Sequence, residues 1–130
     1  MATTFGDIST LFHTTHLTKF ETPRELEIEW LKISIADYEL SIGSTLDFDE
    51  DTEEFSDDLD NITKRVLCQG MYTLYLQREL SRVMALNGIV GKDISLTGMD
   101  STKRITRQEY EDEITRYETM LHRLKCHSFN

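Results

Sequence analysis

Proline occurs once in this chain, at Pro23, and glycine only six times. Few residues are therefore available to break a helix. Cysteine occurs twice, at Cys68 and Cys126. The two lack the spacing of a disulfide framework or zinc module, which points to reduced thiols in a cytosolic setting. No stretch approaches the roughly 18 apolar residues of a membrane span. The opening Met-Ala-Thr-Thr-Phe-Gly-Asp has neither the basic region nor the apolar run of a signal peptide, so no membrane partner is expected. Basic residues are also scarce: 14 Lys and Arg against 24 Asp and Glu, a net charge of −10. A protein held on nucleic acid by phosphate contacts needs a basic footprint. That class is disfavoured, and so is an anionic membrane surface.

What is present suits one ordinary domain. The chain has 130 residues, of which 38% are hydrophobic and 29% charged. A domain of this length buries enough surface to fold without a metal or disulfide. Its charge is unevenly placed. Residues 1–60 hold 16 acidic and 3 basic side chains, a net of −13, whereas residues 61–130 hold 8 acidic and 11 basic, a net of +3. The opposite signs favour attraction of one half for the other, within a subunit or between neighbours.

The apolar spacing predicts an all-α protein. A small bundle of about three main helices is expected, with a short N-terminal helix and a long loop before the C-terminal helix. Residues 1–21 read as an N-terminal segment and 22–130 as the helical domain. Phe5, Ile8, Leu11 and Phe12 share one side of a helix over 5–13. Thr22-Pro23-Arg24-Glu25 has the form of a capping box. After it, Ile28, Leu31, Ile35, Tyr38 and Ile42 recur at helical spacing as far as the stop at Gly43, while Trp30, Ile33 and Leu40 widen the apolar surface to two sides. Such a helix sits between layers, or between a subunit and its partner.

Residues 44–60 form a linker dense in carboxylates, in which Phe48, Phe55 and Leu59 are placed to pin it to the body. Asp60 is positioned to cap a helix over 61–87, and Asn87-Gly88 to end it. A glycine-turned loop is expected over 88–105. Thr106-Arg107-Gln108-Glu109 reads as a second capping box, opening a last helix to about Cys126. In that helix Tyr110, Ile114, Tyr117, Leu121 and Leu124 make a narrow heptad seam. The seam suits packing inside the chain or, with its tyrosines, an interface.

Chemical motifs are weak. Asp47, Asp49 and Asp51 have calcium-loop spacing with Asp58 at position 12, but Thr52 stands where the sharp turn needs glycine. His13 and His16, and His122 with Cys126, are two pairs from opposite ends of the chain that would have to converge to bind zinc. Gly88 to Asp93 lacks the spacing of a phosphate loop. No nucleophile is tied to a base by a local pattern. No catalytic residue, cofactor or metal is expected, and the chain is not read as an enzyme.

The order of these parts resembles the head–tail connector (adaptor) proteins of long-tailed bacteriophages. The pieces carrying it are Ile35-Ala36-Asp37-Tyr38 near the end of the first long helix, Phe55-Ser56-Asp57-Asp58-Leu59 closing the acidic linker, Val66-Leu67, Gly70-Met71 and Tyr75-Leu76 in the next helix, Gly91-Lys92-Asp93, and the polar C-terminal helix. Gln77-Arg78 departs from relatives in which a lysine–proline step often interrupts that helix. The resemblance implies a virion structural protein at the head–tail interface, assembled in the host cytoplasm. It implies a small helical bundle that forms a dodecameric ring of copies of itself beneath the portal protein. The ring extends the channel through which genomic DNA passes without specific binding, and offers a docking site to a tail-side stopper or completion protein. On this reading Asp47, Asp49, Glu50, Asp51, Glu53 and Glu54 face the channel, and Tyr110, Ile114, Tyr117, Leu121, Leu124 and Phe129 meet other subunits or the portal. The same carboxylates also fit an acidic regulatory protein, such as a DNA-mimic inhibitor of a basic enzyme. A small calcium-responsive protein is a third reading.

Overall fold

Thr4 starts the first helix. Its Oγ1 accepts from the Asp7 N–H at 3.2 Å, and Asp7 Oδ2 accepts from the Thr4 N–H at 3.1 Å. This reciprocal cap opens α1 (Phe5–Thr15) in the computed structural model, which describes residues 2–18, 21–90 and 97–128. There follow α2 (Arg24–Ile42), a short hairpin of β1 (Phe48–Asp49) and β2 (Glu54–Phe55), α3 (Asn61–Val90) and α4 (Thr97–Ser128). A mainly helical small bundle is thus the observed architecture. No helix among the described residues is long and apolar enough to cross a membrane.

The caps fall partly elsewhere than the sequence suggests. Asp60 does cap α3, accepting from the Thr63 N–H at 2.7 Å, and hydrogen bonding from the Thr63 hydroxyl together with that N–H holds its carboxyl below the usual range. Gly43 does end α2, in the left-handed conformation (φ 83°) that glycine adopts without strain. The box at Thr22 does not form. Pro23 itself is the N-cap, with ψ at 144°, so Thr22 lies one residue too early to reach the third helical amide. Its hydroxyl is buried without a hydrogen-bond partner among the described residues. The box at Thr106 does not form either, because α4 starts at Thr97 and Thr106 is a buried residue in its interior. Likewise α3 continues through Asn87-Gly88 to Val90. The loop expected over 88–105 is therefore helical at both ends, and 91–96 lie outside the described residues. One glycine costs a helix only about 1 kcal/mol, and α3 and α4 share the most extensive helix–helix contact in the chain.

The core is organised round α3, which packs against α4, α2 and α1. From Val66 to Thr73 every residue is buried, as befits a helix enclosed on all sides. α1 contributes Phe5, Ile8 and Phe12, so the N-terminal segment shares this core. α2 contributes Trp30, Leu31, Ile35, Tyr38 and Ile42, and α4 contributes Tyr117 and Leu121. Three helices meet closely at Gly70. A Cβ there would lie 2.5 Å from Ser34 Oγ and 2.8 Å from the Tyr117 hydroxyl. The missing side chain is what lets α2 and α4 close on α3. The Tyr117 hydroxyl, its ionisation pushed up chiefly by burial, donates to Asp37 Oδ2 at 3.4 Å and so links α4 to α2.

Gly70→Ala is expected to destabilise the fold by about 1–3 kcal/mol in denaturant titrations, although alanine favours an isolated helix by about 1 kcal/mol. A second prediction concerns pH. Burial raises the Asp37 carboxyl above its ordinary value of 3.8, against the Tyr117 hydrogen bond. A carboxyl whose pKa is raised by folding binds its proton more tightly when folded. Its ionised form therefore costs stability at neutral pH, and that cost vanishes as pH falls below 3.8. Asp37→Asn, which keeps an acceptor for Tyr117, should melt above the wild type at pH 7, and the gap should close as the pH is lowered. Thermal melts across that range test it.

Candidate functional site

The carboxylates that crowd residues 44–60 repel one another, yet the segment is folded. Its chain leaves α2 at Gly43, and the Leu46 N–H donates to Glu39 Oε1 at 3.1 Å. Phe48 pairs with Phe55 and Asp49 with Glu54 across the hairpin. The Asp51 N–H donates to Asp49 Oδ1 at 2.9 Å within the turn, a local bond that aspartate makes readily. The two phenylalanine rings meet at 4.9 Å, and Phe55 is fully enclosed in the core. The expectation that Phe48, Phe55 and Leu59 anchor this segment holds, since Phe48 and Leu59 pack on the same cluster.

The other anchor is the start of the chain. The Phe55 N–H donates to the Thr3 carbonyl at 2.8 Å, and the Phe5 N–H donates to the Glu53 carbonyl at 2.8 Å. The Thr3 hydroxyl, itself buried, donates to Asp58 Oδ1 and accepts from the Leu59 N–H, both at 2.9 Å. Two cations reach in from α2: Arg24 pairs with Glu53, and Lys32 with Glu50 at 2.8 Å. Thr3, Arg24 and Lys32 carry no local sequence signal for this role. Only the fold brings a threonine near the N-terminus against residues more than fifty positions later.

Of the six acidic positions, Asp47, Asp49, Glu50, Asp51 and Glu54 are exposed together on this hairpin. Glu53 differs. It takes a left-handed conformation (φ 58°) and turns back, half-buried, to Arg24. Two of the seam residues are taken up by the core. Tyr117 and Leu121 are buried within the chain, Tyr110, Ile114 and Leu124 are half-buried, and Phe129 lies outside the described residues. A seam with α2 and α3 at hand is largely satisfied inside its own subunit.

The metal readings find no convergence of ligands. Among the described residues no three His, Cys, Asp or Glu side chains gather as a cation would need. His13 Nε2 lies 2.9 Å from Glu27 Oε1, whereas His16 stacks on Tyr72 at 4.2 Å. His122 Nε2 lies 3.6 Å from the exposed Cys126 Sγ. The other thiol, Cys68, is buried, and burial pushes its pKa up to about 12. It packs rather than reacts.

A cavity of about 600 Å³ opens beside the His16–Tyr72 stack, between the end of α1, α3 and α4. Gln69 and Tyr75 contribute to its wall, and Arg65, Glu109 and Glu113 also line it. Tyr72 donates to Glu109 at 3.1 Å and Gln69 to Glu113 at 2.6 Å, so these polar groups bind α4 to α3. Burial holds the His16 imidazole below its usual pKa, outweighing the pull of Glu113.

Comparison with protein-family models, with curated proteins and with solved structures finds no match to this chain.

The hairpin's dependence on Thr3 is testable. Thr3→Val keeps the shape but leaves the half-buried Leu59 N–H without its acceptor and Asp58 without its donor, a loss of about 1–3 kcal/mol. Hydrogen exchange at the Leu59 and Phe55 amides should accelerate in this variant, while the Tyr117 region of the core should keep its protection.

Proposed function

We propose that this chain is a head–tail adaptor of a long-tailed bacteriophage. It is a virion structural subunit that assembles with copies of itself beneath the portal protein, lines part of the DNA channel and receives the next tail-side component. The observation that carries this reading is the pinned acidic hairpin. Asp47, Asp49, Glu50, Asp51 and Glu54 are exposed side by side on a scaffold tied to the core by Phe55 and Thr3. A loose acidic tail would sway away from an approaching polyanion. Carboxylates held in place repel phosphates over a Debye length of about 8 Å at physiological salt. A wall of that kind lets a duplex slide without sticking to it. The long-helix bundle and the split between an acidic first half and a basic second half accord with the same role. Portal contact falls to the end of α4, from Leu124 towards Phe129.

Two experiments test this. Negative-stain imaging of the purified chain with the portal protein encoded beside it should show a ring of subunits on the portal, and a lone monomer would overturn the reading. Replacing Asp47, Asp49 and Asp51 with asparagine should leave the melting temperature nearly unchanged, because these side chains are exposed. Virions carrying the triple variant should retain or eject their DNA poorly. A monomer that instead binds one basic protein through the hairpin would identify the DNA-mimic alternative.

A further inference from the structure

α2 has two apolar sides, and the core uses only one of them. On the outward side Ile33 is 45% and Leu40 86% exposed, with Ala36 exposed between them. Ile33 and Leu40 are seven residues apart, so they form one stripe about 10 Å long. No described side chain covers it. The rim of the stripe is acidic. α2 exposes Glu25 and Glu29, with Asp37 and Glu39 half-buried, against Arg24 and Lys32, and Lys32 is already held by Glu29 at 3.4 Å and Glu50 at 2.8 Å.

α3 has the opposite balance, with Lys64, Arg65, Arg78 and Arg82 against Glu79 alone. In its C-terminal half, Gln77, Arg78, Ser81, Met84 and Ala85 are all exposed and lie on one face by helical spacing. Met84 is 41% exposed. An apolar centre with a cation at its edge is thus presented by the same chain that carries an apolar stripe edged with carboxylates.

We propose that the outward face of α2 in one copy docks on the Arg78–Met84 face of α3 in the next. Leu40 and Ile33 then pack on Met84 and Ala85, and Glu29 meets Arg78. Pairing α2 with α2 across a two-fold axis would bring like carboxylates together. The contact therefore joins two different patches, a heterologous arrangement that closes into a ring or runs on as a filament. This inference rests on the reading of the chain as a self-assembling subunit and identifies the surfaces that would join.

Sedimentation equilibrium of the full chain over a concentration series tests it. The wild type should self-associate, and Leu40→Ser should weaken that association roughly tenfold or more. Glu29→Arg and Arg78→Glu should each weaken it, and the two substitutions together should restore it. All these positions are exposed, so circular dichroism should show folded variants throughout. A wild type that stays monomeric at every concentration overturns the proposal. So does a Leu40→Ser variant that associates as the wild type does, or a charge-reversed pair that fails to restore association. Rings imaged on the portal in any of those cases would leave the adaptor reading standing and exclude only this interface.

Discussion

The approach of three helices at Gly70 sets the geometry on which the rest of the chain depends. Ser34 of α2 and Tyr117 of α4 occupy the space that a side chain on α3 would need. Because they come so close, α4 is held despite its polar composition. Glu109, Glu113 and Tyr117 follow one another every four residues along it. Each is hydrogen-bonded to a neighbouring helix, through Tyr72, Gln69 and Asp37 respectively. A buried polar group left unpaired costs about 1–3 kcal/mol, so this ladder specifies the register of α4 as well as joining it to the bundle.

The acidic hairpin depends on that core at one remove. α1 buries Phe5, Ile8 and Phe12 against α3, and this burial carries Thr3 and Thr4 to the hairpin's edge. The ion pairs to Arg24 and Lys32 are largely exposed, and surface pairs of this kind contribute only about 0–1 kcal/mol each. Enclosing a phenylalanine contributes about 1.5–3 kcal/mol. Apolar burial of Phe55 and hydrogen bonds to buried Thr3 therefore hold the carboxylates against their own repulsion. A surface of one charge is built here on an apolar anchor beneath it.

Much of this was legible in the residues. The periodicity of α1, α2 and α3, the Asp60 cap, the Gly43 stop and the aromatic pins of the linker all follow from local physics. The departures are also local. Thr-x-x-Glu suggests a helix start at Thr22 and Thr106, but a cap signal does not decide where a helix begins when neighbouring helices reward further turns. The glycines at 88 and 98 suggest a loop yet lie in helices, because a propensity cost of about 1 kcal/mol is easily overridden by packing. Thr3 carried no signal, because its partners lie more than fifty residues away.

By itself, then, the sequence determined the helical class, the segregation of charge and the two-sided character of α2, since each depends on residue type and on spacing within one turn or one segment. Tertiary structure decided which of the α2 sides is covered, that Tyr117 and Leu121 serve the core, and that Glu53 turns inward while its neighbours face out. Those outcomes turn on which distant side chains compete for the same space, and at Gly70 on a separation too small for a single methyl group.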